Sequence, residues 1–307
     1  MHGHENKYDP VKYYFIAAPS HWPIIGCFGL FFSVLGLVQI LHGSCVGPWL
    51  MLMGAGLLIT TMVGWFGTVI NESLSGLHSA KMDMTYRWGM FWFIMSEIML
   101  FGVFFLALFY TRVFGVPELG GSPIPIVQDL LMYKGGATHE YLWPHFYAIW
   151  PQLVNPDPKL FPGPNEVVNT WGLPALNTAI LLTSAGTLTW AHWSLKLGRQ
   201  RHLIIGLSLT ILLGCLFESI QMYEYYEAYH HFNLTLASGI YGTTFFTLTG
   251  LHAAHVTIGA IMLFIILLRC LKGHFRPEHH FAFEAVSWYW HFVDVVWLFL
   301  FVFVYWF

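Results

Sequence analysis

The stretch "YWHFVDVVW", Tyr289 to Trp297, sets a histidine and an aspartate inside an apolar run that continues as "LFLFVFVYWF" to the last residue. A soluble core has no use for so long a greasy segment. A membrane span has no use for Asp294 unless that carboxylate is partnered or does something. The fold turns on which description fits, and the rest of the chain answers it.

Charged residues make up 9% of the 307 and aromatic residues 18%, with a mean hydropathy of +0.59. Soluble domains carry roughly 25% charged residues. This is a polytopic membrane protein. The formal net charge of -3 offers no basic surface for nucleic acid. The segment before the first apolar run, "MHGHENKYDPVKYYFIAAPSHWP", lacks the apolar core and small-residue cleavage site of a signal peptide. It is also too acidic and too poor in arginine for a transit peptide. Four scattered cysteines, Cys27, Cys45, Cys215 and Cys270, form no CxxC and no CxxCH, so a cysteine metal cluster and covalent haem are not supported.

A spanning helix needs about 20 mostly apolar residues. That ruler predicts seven spans, at about 21–41, 49–70, 87–109, 173–194, 203–223, 239–268 and 283–307. The expectation is an all-α membrane bundle in one domain, with a long loop at 111–172. Lys7, Lys12, Lys81, Arg87, Lys196, Arg199, Arg201, Arg269, Lys272 and Arg276 then fall on one side, against Arg112, Lys134 and Lys159 on the other. Positive residues collect on the cytoplasmic side. The N-terminus is therefore expected inside and the C-terminus outside, with the loop outside. Its Pro, Gly and aromatic content ("HEYLWPHFYAIWP") fits a folded cap, or a docking surface for a subunit or an external redox partner.

Three spans hold ionisable groups near mid-depth: Glu97 in "FWFIMSEIMLF", His252 and His255 in "LTGLHAAHVTIG", and His291 with Asp294 in the last span. A charge at mid-membrane costs at least ~2.5–3.5 kcal/mol on insertion scales, so such groups face a partner or water. Glu97, His255 and Asp294 fall within about two turns of one depth. Mutual hydrogen bonding across helices is the simplest account. His252 and His255, three apart on one helix face, suit a metal by type, but no third ligand has matching spacing, and the expectation is no metal. His279 and His280 are read as loop residues facing solvent or headgroups. Glu218 and "EYYEA" at 224–228 are read as interface groups. Arg269 and Lys272, at the end of a span, suit anionic headgroups or simple snorkelling.

The stretches "FFTLTGLHAAHVTIG", "HHFAFEAVSWYWHFVDVVWLFLFVFVYWF", "LPALNTAILLTSAGTLTWAHWSL", "FIMSEIMLF", "PELGG" and "EYYEA" occur in order, and together they resemble the cytochrome c oxidase subunit III family. The resemblance runs from about Pro19 to the C-terminus. It implies seven helices in a V-shaped bundle, two plus five, with phospholipid in the cleft. It also implies a non-catalytic core subunit that binds no haem, copper or other metal, those redox centres lying in subunits I and II. Such a subunit packs on subunit I, steadies proton uptake and protects the complex, which takes electrons from cytochrome c, from turnover inactivation. Glu97 matches the family's buried glutamate. Trp65, Glu72, His78, Arg269 and Lys272 match positions that line or close the lipid cleft. Where the family commonly has arginine before the glutamate of "RES", this chain has Asn71, so that headgroup contact is either absent or supplied by another base.

The long loop implies a bacterial cytoplasmic membrane, with the mitochondrial inner membrane as the alternative. Subunit III of a quinol oxidase is a rival reading, but it usually lacks the first two helices. A proton-coupled transporter using Glu97, the histidines and Asp294 is a rival of another class. It should show internal repeats and broken helices, and neither stands out here.

Overall fold

The computed structural model describes residues 15, 17–121, 137–277 and 279–307. Lys7, Lys12, Lys134 and part of the 111–172 loop lie outside them. Seven long helices are formed among the described residues: α1 Trp22–Leu41, α2 Gly47–Leu74, α3 Ala80–Tyr110, α4 Leu173–Lys196, α5 Gln200–His230, α6 Ile240–Leu271 and α7 Phe281–Leu300. α3 runs on through a π turn, Thr111–Gly115, into Val116–Leu119, and α7 ends in a π segment, Phe301–Trp306. Six of the seven are long and apolar enough to cross a membrane. The exception is α4, whose 24 residues include Asn177, Ser184, His192 and Ser194. At 1.5 Å rise per residue it is about 36 Å long, enough for a ~30 Å hydrocarbon layer. Only its composition sets it apart.

α3 begins well before the expected residue 87. Its first turns, "AKMDMTY", are polar, and a hydropathy window sees only the stretch that would lie in lipid. The backbone bonds inside the helix do not stop there, and Asp83 adds an i,i+4 pair with Arg87 at 2.8 Å.

The helices sort into two compact units, Met1–Gly89 and Met90–Phe307. The first holds the α1–α2 hairpin, whose turn is closed by Gly43 at φ +71°. Glycines bring the two backbones together. A Cβ on Gly36 would sit 2.5 Å from the Met51 nitrogen, and one on Gly54 would sit 2.4 Å from the Ser33 nitrogen. Gly29 and Gly36 lie two turns apart on α1, as Gly47 and Gly54 do on α2, so each pair faces one way. Small residues at such spacing let membrane helices approach closely.

In the second unit α4 packs on α5 and α7, α5 on α6, and α6 on α7, closing a ring of four. Its centre is Trp290, fully buried. A Cβ on Gly214 of α5 would lie 2.7 Å from the indole Cη2, and one on Gly259 of α6 would lie 2.8 Å from Cε3. The indole N–H donates to Ser184 Oγ of α4 at 3.0 Å. One side chain of α7 thus meets the other three helices. The later part of α3 joins this unit through Phe101, whose ring meets His255 and Phe292 edge-on.

The described part of the 111–172 loop is folded onto this unit. Asn155 Nδ2 donates to the Phe161 and Ser238 carbonyls at 2.9 and 3.0 Å. Thr170 Oγ1 donates to the Tyr305 carbonyl, and Arg112 to that of Phe307.

Candidate functional site

Several buried polar residues of the second unit form small hydrogen-bonded groups. His255 on α6 meets Glu97 on α3, Nε2 to Oε2, at 2.9 Å. Its Nδ1 lies 2.7 Å from the Leu251 carbonyl one turn back. A carbonyl only accepts, so Nδ1 carries the proton and donates. Nε2 then either accepts from a protonated Glu97 or, as imidazolium, donates to the carboxylate. In both states one proton sits in the contact and the pair as a whole is neutral. Phe101 and Tyr289 flank the imidazole, with ring centroids 5.0 and 6.3 Å away, and limit its access to lipid.

His252 faces another way. It is 1% exposed, lies between Phe217 and Trp297, and its Nε2 contacts the Val293 carbonyl of α7 at 3.2 Å. The two histidines share a helix but not a target, and their committed nitrogens do not converge on one ion.

Asp294 is 5% exposed. His291 Nδ1 of its own helix lies 3.4 Å from Oδ2, and neither carboxylate oxygen has a hydrogen-bond partner among the described residues. The ties from α7 to its neighbours come from other residues: Trp290 to Ser184, the Val293 carbonyl to His252, and Trp297 Nε1 to Thr178 Oγ1 at 2.9 Å. Sequence reasoning passed over these tryptophans because an indole inside an apolar run reads as bulk. Their seven-residue spacing, which puts both on one face, was the available signal.

"EYYEA" is also more than an interface segment. Glu224 is 1% exposed and accepts from Tyr305 Oη at 2.6 Å and from Gln221 Nε2 at 3.2 Å.

Of the residues tied to lipid by resemblance, Trp65, Glu72 and His78 belong to the first unit. Trp65 is 47% exposed. Glu72 Oε2 and His78 Nε2 are 3.9 Å apart, too far for a hydrogen bond. Burial lowers the His78 pKa from its ordinary value, and Glu72 opposes this more weakly. Arg269 and Lys272 belong to the second unit, at the end of α6. The Arg269 guanidinium lies 4.5 Å over the Phe275 ring, and its Nε is buried without a hydrogen-bond partner. Lys272 caps α6 and is exposed.

One group was not expected. His192 near the end of α4 meets His280 and Glu284 at the start of α7, a possible set of metal ligands. His279 is exposed, as a loop residue should be, but His280 is not: its side chain is 11% exposed. The reading of His280 as solvated fails because a tight turn, with Arg276 and His279 exchanging backbone hydrogen bonds, directs the next residue into the helix packing.

A family model described as cytochrome c oxidase subunit III matches residues 12–131 and 143–307. The chain is 40% identical over 294 residues to cytochrome c oxidase subunit 3 of Formosania lacustris, covering 95% of this chain and 96% of that one. The protein of the same description from Marchantia polymorpha is 39% identical over 289 residues, 94% of each chain. That of Sus scrofa is 39% identical over 296 residues, 95% of this chain and 96% of its own.

Proposed function

The chain belongs to the cytochrome c oxidase subunit III family, and from that premise we propose that it is a non-catalytic core subunit of an aerobic terminal oxidase. In this reading it packs on subunit I, in a complex whose haem and copper sit in subunits I and II and which takes electrons from cytochrome c. It lies in a bacterial cytoplasmic membrane, N-terminus inside, with the mitochondrial inner membrane as the alternative. The observation that carries the reading is the match along nearly the whole of both chains, first two helices included. The polar centre agrees with it. Glu97 and His255 satisfy each other, whereas a transporter's substrate site would hold such groups ready for a ligand.

Within that reading the chain binds phospholipid and supports proton uptake. Arg269 is the residue whose surroundings favour an anionic headgroup: a cation stacked on a ring, with one N–H buried and unpaired. Gentle solubilisation, followed by an optical spectrum and a subunit inventory, tests the assignment. Haem-bearing partners should co-purify; a chain recovered alone and colourless defeats it. Arg269→Gln should lower retained phospholipid and speed inactivation during turnover. Unchanged lipid content and lifetime would remove Arg269 from the lipid site.

A further inference from the structure

His192 Nε2 lies 3.7 Å from Glu284 Oε1, and His280 Nε2 lies 3.5 Å from the same oxygen. One ligand atom from each of the three residues lies within 4.8 Å of the other two. The side chains are mostly covered, at 19, 11 and 12% exposure. His192 Nε2 and both ring nitrogens of His280 are buried yet have no hydrogen-bond partner.

Two explanations compete, and the distances separate them. A proton bridging imidazole to carboxylate would draw the heavy atoms to about 2.7–3.2 Å, as it does between His255 and Glu97 at 2.9 Å. Here both separations are longer. A zinc ion with bonds of ~2.0–2.1 Å holds its tetrahedral ligand atoms about 3.3–3.4 Å apart. The observed 3.5 and 3.7 Å lie close to that edge length. The chemistry agrees, since two imidazole nitrogens and one carboxylate oxygen suit a borderline divalent cation. Two of the ligands, His280 and Glu284, are four apart at the start of one helix, and the third comes from near the end of another.

We propose that His192, His280 and Glu284 form a divalent-cation site, with zinc the best-fitting ion, that clamps the end of α4 to the start of α7. The ion carries no redox chemistry. Three protein ligands leave one position for water, and the unpaired imidazole nitrogens gain a partner. Lys196, one turn past His192, is exposed and can turn its charge to solvent. The site lies within the second unit and does not depend on which complex the chain joins, so its failure would leave the subunit assignment untouched.

The test uses the detergent-solubilised protein with whatever subunits accompany it. After dialysis against EDTA, zinc chloride is added, excess is removed, and zinc per chain is measured by plasma mass spectrometry. The wild type should retain one equivalent more than His192→Gln or Glu284→Gln. Equal zinc in all three overturns the site. A second arm needs no variant: diethyl pyrocarbonate labelling of wild type with and without zinc, mapped by peptide mass. Zinc should protect His192 and His280. Unchanged labelling at both overturns the site even if the variants fail to assemble.

Discussion

The α1–α2 hairpin and the four-helix ring of the second unit solve one problem by different means. Lipid tails are as apolar as leucine, so apolar surface alone gives membrane helices no reason to associate. The hairpin answers with bare backbone. The buried residues of α1 are Gly29 and Gly36, and those of α2 are Gly47, Gly54 and Thr61. The ring answers with rings seated against glycines and with side-chain hydrogen bonds. α7 alone buries Trp290, Trp297, Tyr289, Phe283 and Phe292. In the most apolar window of α1 or α2, 11% is buried within the chain, against 56% in the last helix. Backbone contact holds a hairpin while leaving nearly all its side chains facing outward. Interlocked side chains hold a bundle that can also bury charge.

The comparison breaks first at Trp290. Trp290→Ala removes a fully enclosed side chain and its bond to Ser184. Removing such a side chain typically costs about 3–5 kcal/mol. Unfolding in a mixed-micelle titration should show the second unit weakened by that order. Cross-linking between cysteines placed on α1 and α2 should be unchanged. If the hairpin loosens equally, the two regions are not packed independently.

The reverse experiment uses the hairpin's glycines. Gly36→Ala places a methyl 2.5 Å from the Met51 backbone nitrogen, which has no flexible end to swing aside. Overpacking of this kind costs about 1–3 kcal/mol. The same α1–α2 cross-link should fall in yield. Gly56→Ala, where a Cβ meets nothing within 4 Å, should leave it unchanged. A matched loss in both would show that glycine acts there through helix propensity, not close approach.

A smaller effect probes how the second unit buries charge. Glu97→Gln keeps a donor facing His255 Nε2, and hydrogen bonds within membranes average about 0.6 kcal/mol. Stability should change by no more than that. Glu97→Leu leaves the imidazole nitrogen unpaired, at about 1–3 kcal/mol. Equal losses in the two variants would show that the pair's charge, not its hydrogen bond, is what matters.

Much of this arrangement is legible in the sequence. Span lengths follow from counting apolar residues, because lipid thickness fixes the count. Glu97 with His255 was accessible because a costly buried charge demands a partner at its own depth. Asp294 was not: its depth pointed to a partner across helices, whereas its contact is His291 of its own helix and neither oxygen is hydrogen-bonded. The polar start of α3 was not, since hydropathy is blind to a helix that leaves the apolar layer. Nor was the seat of Trp290, because Gly214 and Gly259 acquire meaning only when two more helices converge on one ring. The His192, His280 and Glu284 group is the sharpest case. Two of its members sit together in sequence, but the third is far off on α4 and has no local signature.

The smallest expected effect lies in the first unit, at the half-buried imidazole of His78, outside the spans. His78 packs against Tyr86 and Phe15, with Nε2 buried and without a hydrogen bond. Burial lowers its pKa below the ordinary value of 6.5, and the Glu72 charge at 3.9 Å restores part of the loss. Between the lowered folded value and about 6.5, the folded chain therefore binds fewer protons at this residue than the unfolded chain does. Stability rises with pH wherever the unfolded state holds more protons. The contribution is fully present above the unfolded value and is lost as pH falls from there toward the lowered folded value. Thermal unfolding of the solubilised protein should thus move slightly lower between pH 7 and the mildly acidic range. His78→Gln should flatten that part of the profile, and Glu72→Gln should steepen it by removing the charge that favours protonation. A Glu72→Gln variant with a flatter profile would mean that the carboxylate, not burial, governs the histidine.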